Sequence, residues 1–480
     1  MVGKFAWGVT WRTVLVAGLV ATPLWYFNRE AQWSGEEVYA AGDTAVVGKP
    51  GIVVVALMQP EQYDPKFFVH FLDKLFSQAI PWPINELAGR DNGVVLVDPS
   101  QPYMSESFKP VSLVDIEGNT ADRDGVAWIE KYRRGEIRWE PALDFVPHDF
   151  GVFVYPERLQ GMRFPAAKTS AKARYVYHAA LPGGYLPHYR QTYDMAQGAI
   201  DLLKAQHPQI VAGAVADAFD PEAKRAAVER VLDAGADTIV LASAQPVYSG
   251  FEDLDGSFVQ VRKIIEEWRA RNGGKPIKIV IPPDMASTGA YERLLLDHFA
   301  AQVPPATAPG QLAVAILTNH GLPVELMGTD GWSQRIPKVA ERLIPQVEAI
   351  LRSTGYDRVE ARMAAEGFAD DIEDPDNKIV SVREQFRKAQ SDGAAVAVAM
   401  PLEFMAENTD TLFAHAALMF EGFPGYETYQ APPADIDWSQ PYVREFQMGK
   451  TRALYIGSPG GATVPRQAKA FAEAIGKVFD

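Results

Sequence analysis

The feature that most constrains this 480-residue chain is the texture of its aliphatic runs. "IVVVALMQP" (Ile52–Pro60), "IVAGAVAD", "DTIVLASAQPVYSG", "IKIVIPP", "LAVAILTNHG", "AAVAVAMP" and "ALYIGSP" are apolar over consecutive residues rather than alternate ones, and most end in turn chemistry. A strand that is apolar on both faces must be covered on both faces, which is the condition of parallel sheets with helical crossovers. Segments of helical spacing lie between the runs. They include "QTYDMAQGAIDLLKAQ", "PEAKRAAVERVLDAG", Tyr291–Gln302, Arg335–Ser353, Ser381–Gln390, Asn408–Phe420 and Val464–Val478. Pro345 predicts a kink in the helix over 335–353. The pattern predicts an α/β fold of two Rossmann-like lobes with parallel sheets, residues 51–272 and 273–480, joined near "RNGGKPIK". Residues 83–169, rich in Pro, Trp and Tyr, interrupt the alternation and read as an irregular insertion with short candidate strands at "GVVLVD" and "GVFVYP".

The N-terminus departs from this scheme. Thr13–Phe27 is an uninterrupted apolar run, extended toward Phe5 if Arg12 snorkels, with Trp7, Trp11, Trp25 and Tyr26 placed as interfacial aromatics. Residues 1–30 therefore read as a transmembrane helix, and 31–50 as a polar linker. Lys4 and Arg12 precede the run and Glu30, Glu36 and Glu37 follow it, so the positive-inside tendency sets a single-pass anchor in the inner (cytoplasmic) membrane with the bulk on the periplasmic side. A cleaved signal peptide ending at "VYA" (Ala40) is the rival reading.

Composition removes several classes. A net charge of −15 leaves no basic stripe to neutralise phosphates, which argues against nucleic acid. The absence of cysteine excludes disulfides, thiolate zinc sites and cysteine-ligated iron–sulfur clusters. "DDIEDPDNK" is acidic but lacks the spacing of a calcium loop. "GSPGGATVPR" fits neither phosphate-loop pattern, although its amides could hold an anion such as a carboxylate.

Open α/β sheets bind ligands beyond the carboxyl ends of their strands. His320, Tyr248, Glu403 and the "SPGGAT" loop all stand at such ends. Around them the sequence resembles the ferrochelatase-type (class II) tetrapyrrole metal chelatases in four ordered segments. These are "GIVVVALMQPEQYDPKFFVHFLDKLFSQAIPWP", "DAFDPEAKRAAVERVLDAGADTIVLASAQPVYSGFEDLDGSF", "TNHGLP" and "MPLEFMAENTDTLFAHA". The third is similar to the family's Ser-Ala-His-Ser/Gly-Leu-Pro segment and puts His320 on its catalytic histidine. In the fourth, similar to P-x-x-F-x-S-D-H-x-E-T-L-Y-E, Glu407 matches the family's aspartate, Asn408 stands where it has a histidine, and Asp410 stands where it has its catalytic glutamate. Tyr248 falls where the family places a cleft tyrosine.

The resemblance implies two chelatase-like lobes that insert a divalent metal, Fe²⁺ first and Co²⁺ or Zn²⁺ as alternatives, into a tetrapyrrole between them. His320, Asp410 and Glu407 would be catalytic, Tyr248, His320 and Asn408 would touch the macrocycle, and His320 with Asp410 would face the metal. Such chemistry requires bases for two pyrrole protons and a donor for a partly desolvated cation, and imidazole and carboxylate supply both. Each residue also has an ordinary alternative. Asn408 and Asp410 make a good helix start, Glu407 suits a solvated surface, and Tyr248 suits a core. His178, His188 and His415 suit surface or packed positions. A rival class stays open: an inactive chelatase-fold subunit that binds haem, another tetrapyrrole or a metal, or that serves in assembly of a larger membrane complex.

Overall fold

The structure, a computed structural model, describes residues 46–62, 92–97, 110–112, 151–156, 176–177, 181–249, 253, 256–320, 331–366, 380–412, 419–420, 422–426 and 435–479. The first strand, β1 (Pro50–Ala56), is buried along its whole length. The insertion contributes β2 (Asn92–Val97), β3 (Pro110–Ser112) and β4 (Gly151–Pro156), an antiparallel sheet of order β3-β2-β4. Regular alternation follows with α1 (His188–Gln206), β5 (Ala212–Asp217), α2 (Pro221–Asp233), β6 (Thr238–Ser243), α3 (Phe258–Arg271) and β7 (Lys278–Val280). The second half continues with α4 (Gly289–Gln302), β8 (Leu312–His320), α5 (Gly331–Ser353), β9 (Arg358–Glu366), α6 (Val382–Ser391) and β10 (Val396–Pro401). It closes with β11 (Arg444–Met448), β12 (Thr451–Tyr455) and α7 (Val464–Gly476).

Two parallel sheets result, as the unbroken aliphatic runs predict. The first has the order β5-β1-β6-β7 with every pair parallel. The second has the order β11-β12-β10-β8-β9, parallel apart from the antiparallel edge strand β11. Lys278–Val280, grouped in the sequence with the second half, instead pairs with β6, so the first sheet extends past residue 272. α5 runs as one helix through both Pro337 and Pro345. None of the helices among the described residues is long and apolar enough to cross a membrane, and the expected anchor at 1–30 lies outside those residues.

The two sheets share a core. Ile52, Val54 and Ala56 of β1 and Ala313, Ala315 and Leu317 of β8 belong to one cluster, together with side chains of α1, α4, α5 and α7. The intervening residues, Val53 and Val55 or Val314 and Ile316, point the other way into separate outer layers against α2 and α3 or against α6. This two-residue period is why each strand must be apolar throughout. α7 belongs by sequence to the second half yet packs on α1 of the first. At Gly198 an added Cβ would lie 3.1 Å from Cβ of Ala468, so the small residue lets the two helices approach closely. Phe471, fully buried on α7, joins the shared layer. Phe471→Ala should cost about 3–5 kcal/mol. Chemical denaturation should show the whole chain unfolding earlier in a single transition, because the lost contacts belong to both lobes.

Candidate functional site

Strand order locates the site. In both sheets the second strand in chain order lies to one side of the first, and the third lies to the other. The chain thus reverses its winding between β1 and β6 and again between β8 and β10. At such switch points the crossover helices leave on opposite faces and open a crevice beyond the strand ends. At the first switch point β1 and β6 run out into the uncharged Leu57, Met58 and Gln59 and into Ala244 and Gln245. At the second, β8 ends in His320 and β10 runs into Leu402 and Glu403.

At these strand ends the His320 backbone meets the Glu403 carboxyl, and Asp410 lies close enough to influence it. The backbone N–H of His320 donates to Oε1 of Glu403, and the half-buried His320 ring meets Phe404 edge-on at 6.3 Å between centroids. Glu403 is only 2% exposed, and its Oε2 has no hydrogen-bond partner among the described residues. Burial pushes its carboxyl up to about 8, against the backbone N–H groups that favour the charge, and the charge of Asp410 adds to the rise. The loop cannot swing this group into water easily. Tyr291 of α4 donates its hydroxyl to the carbonyl of Leu402, and Gln467 of α7 donates to the carbonyl of Met405 at 3.1 Å. Asp410 stands half-buried in the first turn of the helical segment that follows. Among the described residues no three His, Asp or Glu side chains group closely enough to hold a metal by themselves.

Asn408 and Glu407 are occupied otherwise. Oδ1 of Asn408 accepts from the N–H groups of Asp410 at 2.8 Å and Thr411 at 2.9 Å, so the amide caps the helix start. Glu407, expected at a solvated surface in its ordinary reading, is 3% exposed. It accepts from the Thr411 hydroxyl at 2.7 Å, the Tyr455 hydroxyl at 3.3 Å and the N–H of Ser458 at 2.5 Å. Burial raises its carboxyl above the usual range while these donors oppose the rise. Each oxygen thus has a donor, and the side chain ties the 407–411 segment to the end of β12.

A polar chain crosses from lobe to lobe beside this turn. Thr409 donates its N–H to Oε1 of Gln59 at 2.8 Å, and Gln59 donates its own N–H to Nδ1 of His188 at 3.0 Å. His188, expected on a surface, is 5% exposed, and burial lowers it to about 4, so the imidazole is neutral. Tyr248 lies in the outer core of the first lobe, packed edge-on against Phe258 at 5.7 Å. Four of the "SPGGAT" amides are engaged within the protein. Ser458 donates to Glu407, Gly461 to the carbonyl of Trp438, Ala462 to that of Ser439 and Thr463 to that of Gly460. His178, His415 and residues 321–330 lie outside the described residues. Glu403 was legible as a strand-end residue but not as a buried one. The available signal was a glutamate directly after an apolar strand, a residue type almost never fully buried unless paired.

Two predictions follow from these environments. Between 4.5 and about 8 the folded chain holds a proton on Glu403 that the unfolded chain has lost. Its contribution to stability therefore falls as pH rises through that window, by at most about 5 kcal/mol at roughly 1.4 kcal/mol per unit. Thermal melts from pH 5 to pH 8 should show Glu403→Gln gaining on the wild type as pH increases. A constant difference between the two proteins would contradict the assignment. Asn408→Ala removes the cap and should cost about 1–2 kcal/mol in urea denaturation.

No family model matches the chain, and no curated protein matches its sequence. Among solved structures, SirB from Bacillus subtilis with Fe³⁺ is similar at 12% identity, over 60% of this chain and 90% of SirB, with a TM-score of 0.34. The TorS sensor domain–TorT complex in the absence of ligand is similar at 9% identity, over 44% of this chain and 61% of that one, with a TM-score of 0.18. At such TM-scores neither structure defines the family or the activity of this chain.

Proposed function

We propose that this protein handles a tetrapyrrole and a divalent metal at the second switch point, as a ferrochelatase-like metal chelatase held to the inner membrane by residues 1–30, with its bulk on the periplasmic side. The observation that carries the reading is His320 at the end of β8, its backbone held by the buried Glu403 carboxyl beyond β10, with Asp410 near enough to influence that carboxyl. Metallation needs a base for the pyrrole protons and donors for an exchangeable cation, and this group contains both kinds. His320 serves as base or metal-facing ligand, and Asp410 is the carboxylate partner. The metal, Fe²⁺ before Co²⁺ or Zn²⁺, is substrate rather than resident. The four sequence segments that resemble the class II chelatases support the macrocycle as co-substrate.

A second reading, a binding or assembly subunit of a membrane complex without turnover, draws on a specific observation. Asn408 replaces the family's histidine with a capping amide, and Glu407 is saturated by three donors. Fewer groups are then free to move protons.

The test mixes the full-length protein anaerobically with protoporphyrin and Fe²⁺, Co²⁺ or Zn²⁺, following absorbance and fluorescence. Wild-type turnover that drops about 10²-fold or more in His320→Ala and about 10-fold or more in Asp410→Asn is the expected result. Macrocycle binding without turnover, equal in all three proteins, would remove the enzyme and leave the binding subunit.

A further inference from the structure

The segment "GGYLPHYRQTYDMA" places tyrosine at 185, 189 and 193, each four residues from the next. On a helix that interval puts side chains on one face. Tyr189 and Tyr193 of α1 accordingly lie ring to ring, 6.4 Å between centroids and 2° from parallel. Tyr193 is partly buried against the shared core, whereas Tyr185 is 36% exposed and Tyr189 39%. Among the described residues no other Phe, Trp or Tyr is exposed.

The stripe has an acidic rim. β5 ends at Asp217, paired with Ala56 at the end of β1, and Asp220 caps α2 just beyond. The chain leaving β1 passes the start of α1, where Leu186 donates its N–H to the carbonyl of Glu61 at 2.8 Å. Tyr185 donates its hydroxyl to the Glu61 carboxylate. Burial raises the Tyr189 hydroxyl, and the charges of Asp217, Glu61 and Asp220 add to the rise, so all three carboxylates act on one ring. None of the three has an ion pair among the described residues. The neighbouring cations are engaged elsewhere. Arg190 pairs with Asp194 at 2.9 Å, and the buried Lys224 ammonium donates to the carbonyl of Ala218 and to Oε1 of Gln260, both at 2.6 Å.

We propose that this tyrosine stripe is a docking site for an extended, arginine-bearing segment of a partner protein, each guanidinium stacking on a tyrosine face and pairing with a carboxylate of the rim. An aromatic face carries negative potential, and a planar guanidinium can cover it while its N–H groups reach a carboxylate. Lysine would answer the carboxylates as a point charge but would not cover the ring. The spacing selects a chain rather than a single small cation. Side chains on one face of an extended peptide recur every ~6.4–6.8 Å, which matches the 6.4 Å between the two rings. An Arg-x-Arg segment laid along α1 therefore offers one guanidinium to each ring. The stripe belongs to the first lobe, and its occupancy requires neither metal nor macrocycle.

The probe is the capped peptide Gly-Arg-Ser-Arg-Gly, titrated by calorimetry into the full-length protein. Its controls are the matching lysine peptide and arginine amide, because a chain of net charge −15 attracts any cation. One arginine peptide per chain is expected, bound at least about 3-fold more tightly than the lysine peptide and weakened at least about 3-fold in Tyr189→Leu and in Glu61→Gln. Tyr189→Leu removes the ring face but no charge. Melting curves check that the variants fold, and Tyr185→Leu serves should Tyr189→Leu fail. Equal binding of the two peptides, binding that ignores the tyrosine substitutions, or no binding by the wild type would overturn the proposal. Arginine amide bound as tightly as the peptide would also overturn it, by making the stripe a site for a small cation.

Discussion

Everything in this molecule depends on a layer of helices buried between two parallel sheets. α1, α4, α5 and α7 send side chains into a cluster that also holds the inward residues of β1 and β8. Because α2, α3 and α6 cover the outer faces, the sheets have no free face to offer a ligand. What remains are strand ends, where backbone direction and winding leave a crevice. Function is pushed there by elimination, because a buried aliphatic face has no polar group with which to recognise anything.

The two crevices are built alike and equipped differently. The first is lined by the uncharged ends of β1 and β6, the second by His320 and Glu403 with Asp410 nearby. Between them runs the Thr409–Gln59–His188 chain of hydrogen bonds, which fixes the charged turn of the second lobe against the neutral end of the first. The shared core and this link make one rigid frame around the charged crevice. Its least ordinary chemical element is a fully buried carboxyl group that burial pushes up to about 8.

Rigidity at that point comes from ordinary parts. Gly457 has φ of +62°, and a Cβ there would lie 2.7 Å from the Tyr442 carbonyl oxygen and against Glu407, so only glycine lets β12 turn over the carboxylate. His298 of α4 bonds the carbonyl of Gly457 at 2.9 Å from the opposite side. Glu407 and Asn408, which pattern-matching places among the reactive groups, are thereby occupied in holding the turn on which Asp410 stands. A carboxylate supplied with three donors is a structural tie.

The sequence by itself determined the parallel α/β architecture, the described helices apart from α3 and the placing of His320 at a strand end. Those follow from local periodicity and from the rule that continuous aliphatic strands need cover on both faces. It also displayed Glu403 two residues past β10 without revealing its burial. Only the tertiary structure decided that Glu403 and Glu407 are buried, that Tyr248 is core, that His188 is buried and that β7 completes the first sheet. The reason is physical. Burial and hydrogen-bond satisfaction are set by partners far away in the chain, such as Tyr455 and Ser458 for Glu407 or Gln59 for the turn at Thr409, and no local pattern encodes them.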